Sequence, residues 1–323
     1  MSNARKLADN LPIEGRLSGR NLLTNGAMQI WQRGTSFSGN SAYNADRWKV
    51  DNNSGGGGQS TDAPDDFTYS LKIDPSSGNA ALRQAIELPA AGEGGVFRSG
   101  KKFTLSFYLK SANAGEAINI FAASGTTVDA TTTAQVNDTS TGLTTATSWT
   151  RYTYTFTSNN VGGSDTCYNI VPYVSSPSGA TYWTGVMLEE GSQASPFEHE
   201  PVGVTLSKCQ RYYYHLTGSD EKGPNGKHVG GGVMRNNQYF YGFPVTFPVP
   251  MRVVPTFTYN NVTPYVADSS NGYATLSLAA ANTNNFSFNG NAAGAISGAG
   301  AGDAVLLYCS TETNHYVRFD AEL

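Results

Sequence analysis

A chain of 323 residues exceeds the usual size of one domain, so two domains and a tail are expected, each able to bury its own core. Charged residues make up only 14%, against roughly 25% in an ordinary soluble domain, and glycine fills 36 positions, which suits turn-rich β structure. The formal charge of −4 offers no basic field for phosphates, which excludes nucleic acid and anionic membrane surfaces as partners and favours neutral polar ones.

Along the chain, the opening MSNARKLADNLPIEGR has no apolar core of signal-peptide type. No stretch reaches the ~18 consecutive apolar residues of a membrane span, so neither secretion nor membrane insertion is expected. Residues 2–9 and 205–213 are the only helical windows, and both are short enough to need packing support. The segment 53–59, NSGGGGQ, reads as a mobile loop, with close backbone packing as the other use of glycine.

Strict alternation then dominates. Phe67, Tyr69, Leu71 and Ile73 alternate with polar residues, as do Phe103, Leu105, Phe107 and Leu109, and Tyr152, Tyr154 and Phe156, the period of half-buried strands. Further strands are expected at 82–88, 117–121, 167–174 and 181–188, separated by turn residues. Such spacing predicts an all-β, antiparallel sandwich over residues 21–204. Cys167, Cys209 and Cys309 are too few and too scattered for a disulfide framework and read as free thiols.

A second, smaller sheet domain is expected over 205–323. In residues 239–251 the apolar positions share one face while Pro244, Pro248 and Pro250 take the other, so part of this strand should lie at an edge or run extended. Short strands follow at 257–259, 275–278, 286–288, 305–309 and 315–323. The glycine-rich 291–303 reads as a second mobile loop.

Neighbouring acids, Glu189 with Glu190 and Asp65 with Asp66, invite a glycosidase reading, but adjacent strand residues point to opposite faces. His199, His215, His228 and His315 lack metal-site spacing, and no GxSxG elbow occurs. No catalytic residue, metal site or cofactor is therefore expected, although loop oxygens leave room for a structural calcium. Trp31, Trp48, Trp149 and Trp183 could stack on sugar rings; core packing is the better reading for Trp48 and Trp183, leaving Trp31 and Trp149 as ligand candidates. Arg33, Asp46 and Arg47 read as a buried ion-pair lock, and Tyr212, Tyr213 and Tyr214 as a domain or subunit seam. In the second domain Tyr259, Asn260, Asn261, Tyr265, Tyr273, Asn282, Asn284, Asn285 and Asn289 are read as loop residues with the chemistry to recognise polar surfaces.

Residues 21–48 and 186–214 look like two ends of one module. With the leader SNARKLAD, the blocks RNLLTNGAMQIWQRGTSF with YNADRW, GVMLEEGSQASPFEHEP, CQRYYY, FPVPMRVVPTF and FDAEL, in that order, the chain resembles bacteriophage tail-fibre-like proteins. The resemblance implies a carbohydrate-binding-module-like jelly roll followed by a smaller β domain, assembled as a homotrimer. It also implies a virion location after assembly in the host cytoplasm, attachment to other virion proteins through residues 1–20, and host-surface glycan as partner. A polysaccharide-depolymerising hydrolase and a purely structural head fibre or adaptor remain the alternatives.

Overall fold

In this computed structural model the described residues are 19–39, 42–51, 55–216, 228–236, 239–260, 262–266, 277–284, 287–293, 300–309 and 316–323. They form two compact units, one ending at Leu206 and taking in Leu323, the other spanning Ser207–Glu322. The leader expected to contact the virion lies outside the described residues up to position 18.

The first unit is an antiparallel jelly-roll sandwich. One sheet orders β1 (Ser36–Ser38), β4 (Gly56–Ser60), β5 (Ser70–Asp74), β12 (Thr181–Glu190), β7 (Lys102–Ser111) and β10 (Thr150–Thr157). The other orders β2 (Ala42–Tyr43), β3 (Lys49–Asp51), β6 (Ala80–Glu87), β11 (Cys167–Val174), β8 (Ala117–Gly125) and β9 (Thr131–Thr144). Their inner faces meet in one core that includes Trp48 just ahead of β3, Leu82, Ile118, Ile120, Tyr168 and Ile170 from the second sheet, and Leu71, Phe103, Leu105, Phe107, Leu109 and Trp183 from the first. The alternation of β7 works as expected, since Phe103, Leu105, Phe107 and Leu109 are all fully buried. Phe97, from the 88–101 connection, stacks on Tyr168 with ring centroids 3.9 Å apart and ties the sheets together.

Three expectations need correction. The run beginning at Phe67 becomes a strand only at Ser70, leaving Phe67 outside the core. The glycine run is not a loop over residues 56–60: these pair with both β1 and β5 as β4. A Cβ on Gly57 would lie 2.1 Å from the carbonyl oxygen of Lys72, and one on Gly58 2.2 Å from that of Thr35, so the backbones approach too closely for side chains. The helix α1 spans Val202–Gln210, three residues upstream of its predicted start, because Pro201 opens its first turn by accepting from Val204 and Thr205.

Distant chain segments close the first unit. Leu22 N–H donates to Leu188 O at 2.9 Å, Val186 N–H to Gly26 O at 3.0 Å, and Asn21 Oδ1 accepts from Leu188 N–H at 3.1 Å. Asn25 forms a second node: its Nδ2 donates to Ile30 O and Asp46 O, and its Oδ1 accepts from Gln29 and Ile30 N–H. Asp46 accepts from the Gln32 amide N–H and side chain, Arg47 donates to Ala85 O, and Arg33 sits 5.0 Å above the Tyr43 ring.

The second unit contains a three-stranded sheet, β13 (Tyr213–Leu216), β21 (Tyr316–Asp320) and β16 (Thr256–Asn260), in that order. Its six-stranded sheet orders β17 (Val262–Val266), β20 (Ala304–Cys309), β14 (His228–Met234), β15 (Tyr239–Thr246), β19 (Ser287–Ala293) and β18 (Ser277–Thr283). Tyr214, Phe247 and Phe257 each pack against Phe319 at 4.9 to 6.2 Å, which places Tyr214 in this unit's aromatic core. Pro244 lies past the pairing of β15 with β14, which stops at Gly242, and is paired with Asn289 of β19 after a register shift.

Gly26 tests the closure directly, because a Cβ there would lie 2.0 Å from Val186 O. Gly26→Ala should lower unfolding free energy by about 3 kcal/mol in denaturant titration, at the upper end of overpacking costs. The control Gly163→Ala, with open space around the added methyl, should stay within about 0.5 kcal/mol of wild type.

Candidate functional site

The outer face of the first sheet carries a set of side chains whose position follows from strand alternation. In β12, Thr181 and Trp183 turn inward and are fully buried, so Tyr182 between them turns outward. Register places Lys72 of β5 opposite Tyr182 on one side and Lys110 of β7 opposite it on the other. The Lys110 Nζ lies 5.6 Å and the Lys72 Nζ 6.0 Å from the Tyr182 ring centroid, within cation–π range.

Each ammonium has its own carboxylate. Lys72 pairs with Asp74 at 2.8 Å and Lys110 with Asp62 at 2.6 Å. The other oxygen of Asp62 accepts from the indole N–H of Trp149 at 2.9 Å. The Asp62 backbone is held in turn, because its N–H donates to Ser60 Oγ and its carbonyl accepts from Ser70 Oγ at 2.6 Å. The result is a half-buried aromatic ring flanked by two donor–acceptor pairs, with a second aromatic residue beside one of them. Three neighbouring strands fix this row, which spans about 10 Å at the usual interstrand spacing.

The charges settle each other. The hydrogen bond from Lys110, helped by Trp149, holds Asp62 below its ordinary 3.8 against the burial that pushes it up. Lys72 rises above its ordinary 10.5 because its hydrogen bond to Asp74 outweighs desolvation.

Residues 191–200 run over a neighbouring part of this face. Gly191 O accepts from Thr104 Oγ1, Ser195 O accepts from Arg151, and Ser195 donates through N–H and Oγ to the two oxygens of Glu189 at 2.8 and 2.7 Å. Phe67, Tyr108, Phe197 and His199 pack edge-on or tilted at 4.8 to 5.4 Å, so these rings largely serve one another. Gly185, at φ +59°, lets Phe67 approach; a Cβ there would meet that ring at 2.6 Å. Near the end of this segment, the Glu198 carboxylate accepts from the backbone N–H groups of Gly19, Arg20 and Asn21 at 2.6 to 3.1 Å. Burial pushes Glu198 up, but these donors win and its value is lowered.

The residues picked from sequence are spread widely. Trp149 joins the Tyr182 row, whereas Trp31 packs against the core with its indole N–H on Met28 O at 2.6 Å. Tyr259 stacks on Phe257 at 5.6 Å, along the face that packs on Phe319. Tyr259 and Asn260 pair with Val317 and Tyr316, Tyr265 pairs with Leu306, and Asn282 pairs with Asn289. These are therefore strand positions rather than loop tips. Asn284 is exposed just after β18, and Asn261, Tyr273 and Asn285 lie outside the described residues.

The two glutamates of β12 do not act together, since Glu189 holds Ser195 and Glu190 pairs with Lys101 at 2.6 Å. Among the described residues no three His, Cys, Asp or Glu side chains gather as metal ligands, and no helix is long and apolar enough to cross a membrane. Cys167 and Cys209 are buried thiols and not disulfide partners. Tyr182, Lys72, Lys110 and Asp62 escaped the sequence reading because only the strand order β5–β12–β7 brings them together.

No protein-family model and no curated protein sequence matches the chain. Solved structures similar to it include the enzymatically active domain of tailspike protein 4 from bacteriophage CBA120, at 16% identity, covering 53% of this chain but 22% of that one, with a TM-score of 0.32. TmCBM61 in complex with β-1,4-galactotriose is 15% identical over 54% of this chain and 100% of its own, with a TM-score of 0.30. The CBM22-1 xylan-binding domain of Paenibacillus barcinonensis Xyn10C is 14% identical over 54% of this chain and 96% of its own, with a TM-score of 0.33. These are likenesses alone, and what those proteins bind or cleave belongs to them.

Because Asp62 is lowered in the folded protein, its pairing is complete above the ordinary aspartate value and is lost as pH falls through the lower folded one. A carbon-detected NMR titration should therefore place the Asp62 midpoint under 3.8, and Lys110→Met should move it upward. An unmoved midpoint in that variant would show that Lys110 does not hold the carboxylate.

Proposed function

We propose that the chain is a virion fibre subunit that attaches to a bacterial surface by binding glycan, without turning it over. The carrying observation is the Tyr182 row, in which a ring suited to a pyranose C–H face is bordered by hydrogen-bonding groups of both kinds. Rigid strands hold the row, so little ordering entropy opposes a ligand that lands on it. The carboxylates nearby fit recognition better than hydrolysis: a glycosidic general acid needs a raised value, whereas Asp62 is lowered and Glu189 already serves Ser195. The resemblance of the ordered blocks to those of tail-fibre-like proteins supports the virion role, with residues 1–20 as attachment leader and a homotrimer as the working form. Three copies would turn weak single-site contacts into useful avidity.

The test uses the full chain and surface polysaccharides purified from a panel of bacteria. At least one immobilised polysaccharide should retain the protein, and the same polysaccharide in solution should keep its chain length and gain no reducing ends. Retention by none would overturn the attachment reading, and new reducing ends would replace it with a depolymerase.

A further inference from the structure

Resting on the glycan-binding reading, we infer that the Tyr182 row selects neutral pyranoses with unsubstituted vicinal hydroxyl pairs, one pair meeting Lys72 and Asp74 and another meeting Lys110 and Asp62. The row carries two ammonium and two carboxylate groups, and each is paired within 2.8 Å, so it presents no net charge. A ligand carboxylate drawn to either lysine would meet Asp62 or Asp74 as well, and like charges at that range cancel the gain.

Hydrogen-bonding capacity remains after the internal pairing. An ammonium has three donors and a carboxylate about four acceptor positions, so one bond to Asp62 or Asp74 leaves each lysine with donors to spare. The acids have side-chain exposures of 40% and 45%, and the lysines 30% and 35%, so all four groups reach solvent. A vicinal diol offers two neighbouring hydroxyls that each donate and accept, which matches one ammonium beside one carboxylate. The two pairs stand on the strands either side of Tyr182, with both ammonium groups over its ring, so a sugar laid along the row meets a pair on each side of the tyrosine. Trp149, fixed through Asp62, borders the Lys110 end and gives a second apolar face for a neighbouring sugar.

The experiment takes the polysaccharide that retains the wild-type chain and modifies it in two ways. Mild periodate cleaves vicinal diols, and should reduce retention at least about tenfold, equivalent to about 1.4 kcal/mol. Reduction of any carboxyl groups to alcohols should leave retention unchanged, as should a rise in salt, because no charge on the ligand is read. Tyr182→Ala should lose at least about tenfold in affinity while keeping the wild-type unfolding midpoint. Lys110→Met, tested the same way, should weaken binding about fivefold. The inference falls if retention survives periodate, if carboxyl reduction or salt abolishes it, or if folded Tyr182→Ala binds as wild type. Wild-type binding with any of these results defeats the diol assignment alone, whereas absence of wild-type binding to every polysaccharide defeats the attachment reading with it.

Discussion

The first unit depends on how the second half of β12 finds its hydrogen bonds. β5 pairs with β12 only at Thr181, Tyr182 and Trp183, and the ladder to β7 shifts between Thr184 and Met187. On the side that β5 has left, Val186 and Leu188 are fully buried, and their backbone groups would face a large desolvation penalty if unpaired. Residues 21–26 fill that gap through Leu22, Gly26 and the side chain of Asn21. Gly26 is required because the backbones meet at a distance that admits no Cβ. The two distant blocks of sequence thus serve one ladder.

This division of β12 also decides where the proposed ligand surface can form. Its first half is bonded on both sides, so Tyr182 and the lysines opposite it stand on three strands that hold one another in place. Its second half is closed by residues 21–26, and the segment 191–200 then runs over the neighbouring outer face. Phe67 and the segment's own Phe197 pack edge-on against each other. Tyr182 lies beyond the segment, where its ring borders charged groups.

The central strands β7, β11 and β12 were plain in the sequence, because a strand covered on one or both faces writes its burial as alternation or as an apolar run. β4 was hidden by its own constraint, since the close approach that demands Gly57 and Gly58 removes the side chains that would signal a strand. β9 was missed for another reason: its Thr-rich residues 131–144 lie at a sheet edge and carry few apolar positions. The candidate site was legible only through Trp149. Lys72, Lys110 and Tyr182 each look like ordinary outward positions, and Asp62 like a turn residue, until strand order sets residues 62, 72, 110, 149 and 182 side by side.

The electrostatics of the row bear on its chemistry as much as its shape does. A carboxyl poised to deliver a proton near neutral pH needs burial without a cationic partner, so that its neutral form survives. Asp62 has the opposite setting, with an ammonium at 2.6 Å and an indole donor at 2.9 Å that hold its carboxyl below the ordinary aspartate value. An ion pair held this way has already met most of its electrostatic demand within the protein, so what it still offers a visitor is direction: donors and acceptors at fixed places around a flat ring. Such a surface gains little from a charged ligand and most from one whose hydroxyls can give and take hydrogen bonds at once.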